Sequence, residues 1–193
     1  MRPSAPPPDA DHSLVVLGID PGLRATGWGV LALVGPGVSS AEREEFAFQG
    51  YGVVMTEPGV PLPERLRRLA SGLREVIDRW QPAEVAVEEA FVAANKRVAI
   101  AIGEARGVAL LAAAEAGLPV FEYSASEVKQ AVAGYGRGSK EQVQEMLRLQ
   151  LGLEAAPQPA DAADALATAF CHLMRRRADA RLAGAGSLLG GRA

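Results

Sequence analysis

Cysteine is nearly absent from this 193-residue chain. Cys171 is the single one, so no internal disulfide can form, and a reducing compartment, the cytoplasm, is the expected location. Histidine is almost as scarce, with only His12 and His172. One thiol and two imidazoles exclude a zinc centre of the usual nitrogen–sulfur kind. No apolar run approaches the roughly 20 residues that span a bilayer, and the first residues lack the basic-then-apolar order of a secretory leader. An excess of positive charge is missing too: the net charge is −3 and the isoelectric point about 5.5. A polyanionic partner would therefore have to be met by a local basic patch rather than by the whole surface. Hydrophobic residues at 49 % and charged residues at 22 % are ordinary for a globular chain, and the length suits one domain with a full core.

Taken in order, residues 1–13 hold four prolines and no apolar periodicity, and read as a disordered tail. A strand over 14–20 ends at Asp20 and is closed by the Pro21-Gly22 turn. Thr26–Val34 reads as a second strand whose Gly27 and Gly29 share a face, a mark of close backbone approach. Residues 35–48 read as a loop and Tyr51–Met55 as a third strand. Leu66, Leu69, Leu73 and Ile77 form one stripe of a helix over 61–80. A short strand, 84–88, precedes a helix over 96–116 that is apolar or small nearly all round, and is therefore covered on more than one side, either centrally within the domain or against a second copy of itself. A strand over 119–123 leads to Ser124, a good N-cap for a helix through Ala133, and Ser139 caps another helix to about Leu151. The last helix is expected from Ala160 to Arg177, with a flexible tail over 179–193. The order describes an α/β domain over 14–178: a mixed five-stranded sheet flanked by helices.

Three places on this frame carry acid. Asp20 ends the first strand, Glu88 and Glu89 end the fourth, and Asp161 and Asp164 open the last helix on one face. Acids in a first helical turn commonly just complement the helix dipole. The alanines around these two, in ADAADALA, strip the helix of bulk and let it lie close against a sheet. If it crosses the two strand ends, four carboxylates converge, and their mutual repulsion calls for a cation. Hard oxygen donors suit Mg²⁺ or Mn²⁺. His172 is eight residues beyond Asp164, too far along the helix to share one ion. Paired divalent ions on carboxylates best serve in-line attack of water on a phosphodiester.

The blocks GIDPG (18–22), AVEEAF (86–91), VFEY (120–123), VKQ (128–130) and ADAADALA (160–167) stand in the order of the RuvC family of Holliday junction resolvases, and residues 14–178 resemble that family. The resemblance implies a ribonuclease H-like fold, a homodimer, and a divalent-metal endonuclease that nicks two opposed strands of a four-way junction. It implies Asp20, Glu88, Asp161 and Asp164 as catalytic metal ligands, taking Glu88 over Glu89, which spacing leaves open. Some members carry histidine at the position of Asp161. Two ions per site are expected, with the branch-migration proteins RuvA and RuvB as partners. The proline-rich start departs from the pattern.

Around the site, Phe91 reads either as core or, as in the family, as an aromatic that stacks on an unpaired base. Lys96, Arg97, Arg106, Lys129, Arg137 and Lys140 supply the local positive surface; Lys129 and Lys140 match family lysines near the scissile phosphate. Residues 134–140, GYGRGSK, have the wrong residue order for a nucleotide-phosphate loop and follow a helix rather than a strand. The helix over 96–116 is the expected dimer surface. The rival readings are a nucleotide phosphotransferase, for which one domain is too little, a ribonuclease H-like nuclease on another substrate, and a non-catalytic junction-binding module.

Overall fold

The computed structural model describes residues 13–34, 45–89, 95–134 and 139–189. Five strands, β1 (Ser13–Asp20), β2 (Ala25–Val34), β3 (Glu45–Met55), β4 (Glu84–Glu88) and β5 (Val120–Tyr123), form one sheet of order β3-β2-β1-β4-β5. The β1–β2 and β2–β3 pairs are antiparallel, and the β1–β4 and β4–β5 pairs are parallel. The helices are α1 (Leu62–Trp80), α2 (Lys96–Glu115), α3 (Ala125–Ala133), α4 (Lys140–Gln150) and α5 (Ala160–Leu189).

Both faces of the sheet are covered, which explains why its central strands read as unbroken apolar runs. Alternate residues serve two cores. Leu17, Ile19, Val30, Val85 and Val87 pack with Leu73, Ile77 and Trp80 of α1 and Ala109, Ala112 and Ala113 of α2. Val16, Leu31 and Ala86 face the other way, onto Leu166, Phe170 and Leu173 of α5, with Val128, Val132, Val143 and Leu147 of α3 and α4 beyond. Ser124 and Ser139 each make a reciprocal capping box, with Glu127 and Gln142 respectively.

Two boundaries differ from the sequence expectation. β3 begins at Glu45, not Tyr51. Its register against β2 slips between Val30 and Leu31, where Gly50 is followed in pairing by Phe48. The unpaired Gln49 reverses the alternation of apolar and polar residues, which hides the first half of the strand from a period-two reading. Phe46 in that half packs edge-on against Phe170 at 5.0 Å between ring centroids. α5 runs to Leu189 rather than stopping at Arg177. Residues 178–183, ADARLA, look like low-complexity tail, but all except Asp179 are strong helix formers, with no proline to stop them.

α5 lies on the sheet at backbone distance. A Cβ on Gly18 would collide with the Ala165 carbonyl oxygen, one on Gly29 would come within 2.6 Å of the Leu166 Cα, and one on Gly27 would collide with the Asp161 carbonyl oxygen. The strand glycines and the helix alanines are thus two halves of one contact.

Candidate active site

Two neighbouring strand ends and one helix start make the site. β1 and β4 run parallel with Ile19 opposite Val87. Asp20 and Glu88, the last residues of their strands, therefore leave the sheet side by side. Alternation turns both toward α5, because Gly18 and Ala86, two residues earlier, already face it. On its other flank Asp20 is paired with Gly27 of β2, and the space above Gly27 is filled by the Asp161 backbone. The first turn of α5 thus stands over the ladder partner of Asp20, carrying Asp161 and Asp164.

The four carboxylates lie near enough to act on one another's charge. Burial, reinforced by the charges of Glu88, Asp164 and Asp161, pushes the Asp20 carboxyl up to about 7, against the opposing pull of Lys140. Glu88 is also raised, by burial first and Asp164 second, with Lys140 and Lys129 opposing. Lys140 Nζ donates to Asp164 Oδ2 at 2.5 Å. Burial works against the Lys140 charge, yet the hydrogen bond and charge of Asp164, with Asp20 and Asp161 behind, hold the ammonium above its ordinary value. Among the described residues no three acidic, histidine or cysteine side chains stand as a ready-made metal shell. The donor chemistry fits a hard divalent cation nonetheless: all four groups offer carboxylate oxygen, and their shared repulsion is what such a cation relieves.

A second polar cluster lies farther along α5. His172, only 1 % exposed, has Nδ1 2.7 Å from the Tyr123 hydroxyl and Nε2 2.6 Å from Glu84 Oε2. Arg176 reaches the other Glu84 oxygen at 2.9 Å. Burial holds the His172 imidazole below its ordinary pKa, although Glu84 favours its charged form. This chain pins α5 to β4 and β5 about two turns beyond Asp164. The sequence reading missed it, because a lone buried histidine and a glutamate at a strand start carry no spacing signal.

The basic residues expected from sequence divide. Lys140 stands on the acids, and Lys129 is close enough to act on the charge of Glu88. Lys96 and Arg97 are exposed in the first turn of α2. Arg106 is paired with Glu122 of β5 and is largely covered, so its guanidinium is held in an ion pair of its own. Phe91 and Arg137 lie outside the described residues, as does His12.

A mixed sheet of this order, with carboxylates on the ends of its first and fourth strands met by the last helix, defines a ribonuclease H-like nuclease fold. The family model described as "Crossover junction endodeoxyribonuclease RuvC" matches residues 16–172, and the chain belongs to that family. It is 52 % identical over 156 residues to the crossover junction endodeoxyribonuclease RuvC of Chloroflexus aggregans, covering 81 % of this chain and 90 % of the relative. The structure of Thermus thermophilus RuvC in complex with Holliday junction substrate superposes with a TM-score of 0.76 at 42 % identity, covering 86 % of this chain and 96 % of that one. The yeast mitochondrial Holliday junction resolvase Ydc2 shares the fold alone, with a TM-score of 0.54 at 13 % identity. The protein is accordingly an endodeoxyribonuclease of a divalent-metal-dependent family. Among the described residues no helix is long and apolar enough to cross a membrane.

Proposed function

We propose that this nuclease resolves four-way DNA junctions, cutting two opposed strands symmetrically during recombination and repair. The observation that carries the reading is the meeting of Asp20, Glu88, Asp161 and Asp164 at two parallel strand ends and one helix start, in a chain of this family. Those four residues would hold the metal. Mg²⁺ or Mn²⁺, two per site, would supply Lewis acidity to the attacking water and to the leaving 3′ oxygen. The chain's own contribution is placement. Asp20 and Glu88 sit on rigid strand ends, and Asp161 and Asp164 are held by backbone contact with the sheet. Lys140 and Lys129 place positive charge beside the acids, where a scissile phosphate would lie, with Lys96, Arg97 and Arg137 available to the flanking backbone. Arg106, paired with Glu122, contributes less. Phe91 would stack on an unpaired base near the crossover.

We further propose a homodimer through α2. Its outward stripe runs through Ile100, Gly103, Gly107 and Leu111. Ile100 and Leu111 are 62 % and 53 % exposed, and open space lies over both glycines. A second copy of the same stripe could approach closely there, and a two-fold protein would match a two-fold junction. RuvA and RuvB are proposed as partners and the cytoplasm as the compartment, where the buried Cys171 thiol stays reduced.

The test is cleavage of a mobile four-way junction compared with linear duplex and an RNA–DNA hybrid, in Mg²⁺ and Mn²⁺ separately, with Asp161→Asn as control. Paired symmetric nicks in the junction alone are expected. Cleavage of the hybrid instead would make the protein a nuclease for another substrate, and binding without cutting would make it a junction-binding module.

A further inference from the structure

A cleft of about 690 Å³ opens directly beside the acidic site, with Asp161 on its rim. One wall is Leu23 and Arg24, from the turn after β1, with Arg65 of α1; the other is Ala101 and Ile102 of α2. None of this was singled out by the sequence, because the three segments meet only in the fold.

Some arginines of the described residues are engaged by acids and others, the cleft's two among them, are not. Arg74, Arg106, Arg148, Arg175 and Arg176 each face a carboxylate. Among the described residues no carboxylate pairs with Arg24 or Arg65. Arg65 is instead locked by neutral oxygens, donating from Nε to Thr56 Oγ1 at 2.9 Å and from Nη2 to the Leu23 carbonyl at 3.1 Å. Thr56 donates to the same carbonyl at 2.5 Å. The guanidinium is therefore fixed in place without a direct ion pair. Arg24 is exposed at the mouth.

An apolar slot next to a phosphodiester-cutting site, with two arginines outside any direct ion pair among its lining residues, matches the chemistry of one nucleotide: a flat base and an anionic linkage. We propose that the cleft seats the nucleotide next to the scissile phosphate. Its base lies against Leu23, Ala101 and Ile102, and Arg24 and Arg65 face its phosphate. The proposal rests on the reading of the acidic site as a DNA-cutting centre. It makes the cleft a place where the identity of one base bears on cutting.

The test uses the full chain and junctions carrying an abasic residue at each of the two positions on either side of the cut, in turn. In the wild-type protein one position should lower kcat/KM about tenfold, within the range measured for loss of one bound base. Ala101→Trp, which fills the slot, should cut the intact junction at the wild-type protein's abasic rate and lose the penalty at that position. Arg24→Gln, at an exposed site that leaves folding intact, should weaken metal-free junction binding and lower its salt slope by about 1. An abasic penalty of the same size in Ala101→Trp, no penalty at any position, or an unchanged salt slope would overturn the cleft assignment. A wild-type protein that cuts no junction would instead overturn the reading of the site itself.

Discussion

Gly27 and Asp161 touch through their backbones: there is no room for a Cβ on Gly27 beneath the Asp161 carbonyl. Since Gly27 is the ladder partner of Asp20, this contact sets how closely the helix-borne acids approach the strand-borne ones. Gly27→Ala should push the start of α5 away from the sheet. Overpacking of this kind costs about 1–3 kcal/mol, readable by urea unfolding. Cleavage should fall far more than junction binding does. Equal losses of both would show that the contact serves stability alone.

The raised Asp20 carboxyl gives the metal-free protein a pH dependence of defined sign. Its folded pKa of about 7 lies above the ordinary 3.8, so the native state holds a proton that the unfolded state releases. The stabilisation is fully present below about pH 4 and is lost as pH rises through 7. Asp20→Asn should therefore raise the melting temperature at pH 8 in chelator, with the gain vanishing near pH 4. Added Mn²⁺ should stabilise the wild type and not the variant. The same variant should abolish cleavage while leaving junction binding.

Lys140 lowers the Asp20 pKa and is bonded to Asp164. Lys140→Ala should move the Asp20 titration, followed by carboxyl NMR, to higher pH. Because the lysine is half exposed, its loss should change thermal stability little. A downward movement of the titration would mean that the lysine does not face the acids in solution.

His172 bridges Tyr123 and Glu84 inside the core. His172→Phe would leave the Tyr123 hydroxyl and one Glu84 oxygen without their partner, at about 1–3 kcal/mol each, while Arg176 still holds the other Glu84 oxygen. The depressed pKa also has a sign. Stability from the neutral ring is complete above about 6.5 and is lost as pH falls through the lower folded value. The wild type should therefore lose stability on acidification below 6.5 by a component that His172→Phe lacks, measured by paired pH–melting curves.

Leu111 sits on the exposed stripe of α2. Leu111→Glu should convert a dimer to a monomer by light scattering without altering the circular dichroism spectrum. It should also replace paired nicks with single ones.

Much of this site was legible because its signals were local. Asp20 stood between an apolar run and a Pro-Gly turn, Glu88 closed a short buried strand, and the alanines around Asp161 and Asp164 announced a helix lying close on a sheet. Gly27 and Gly29 announced the other half of that contact. What escaped needed the third dimension or a broken period. The bulge at Gln49 concealed half of β3, and alanine and arginine disguised the end of α5 as tail. The His172–Glu84 pair joins residues 88 positions apart. Arg24 and Arg65 are unremarkable surface charges until the fold brings them into one cleft beside the acidic site.

The glycine and alanine contact between α5 and the sheet also acts as a phase lock. A helix turns by about 100° per residue, and only one azimuth of α5 presents alanine to Gly18 and backbone to Gly27 and Gly29 together. Substitutions on the far side of α5 leave that azimuth alone. An inserted or deleted residue between Asp164 and Ala169 rotates everything on one side of it. Either Asp161 and Asp164 swing off the strand ends or the larger side chains beyond are driven into the sheet. Changes of length in this stretch should therefore abolish activity where changes of composition are tolerated.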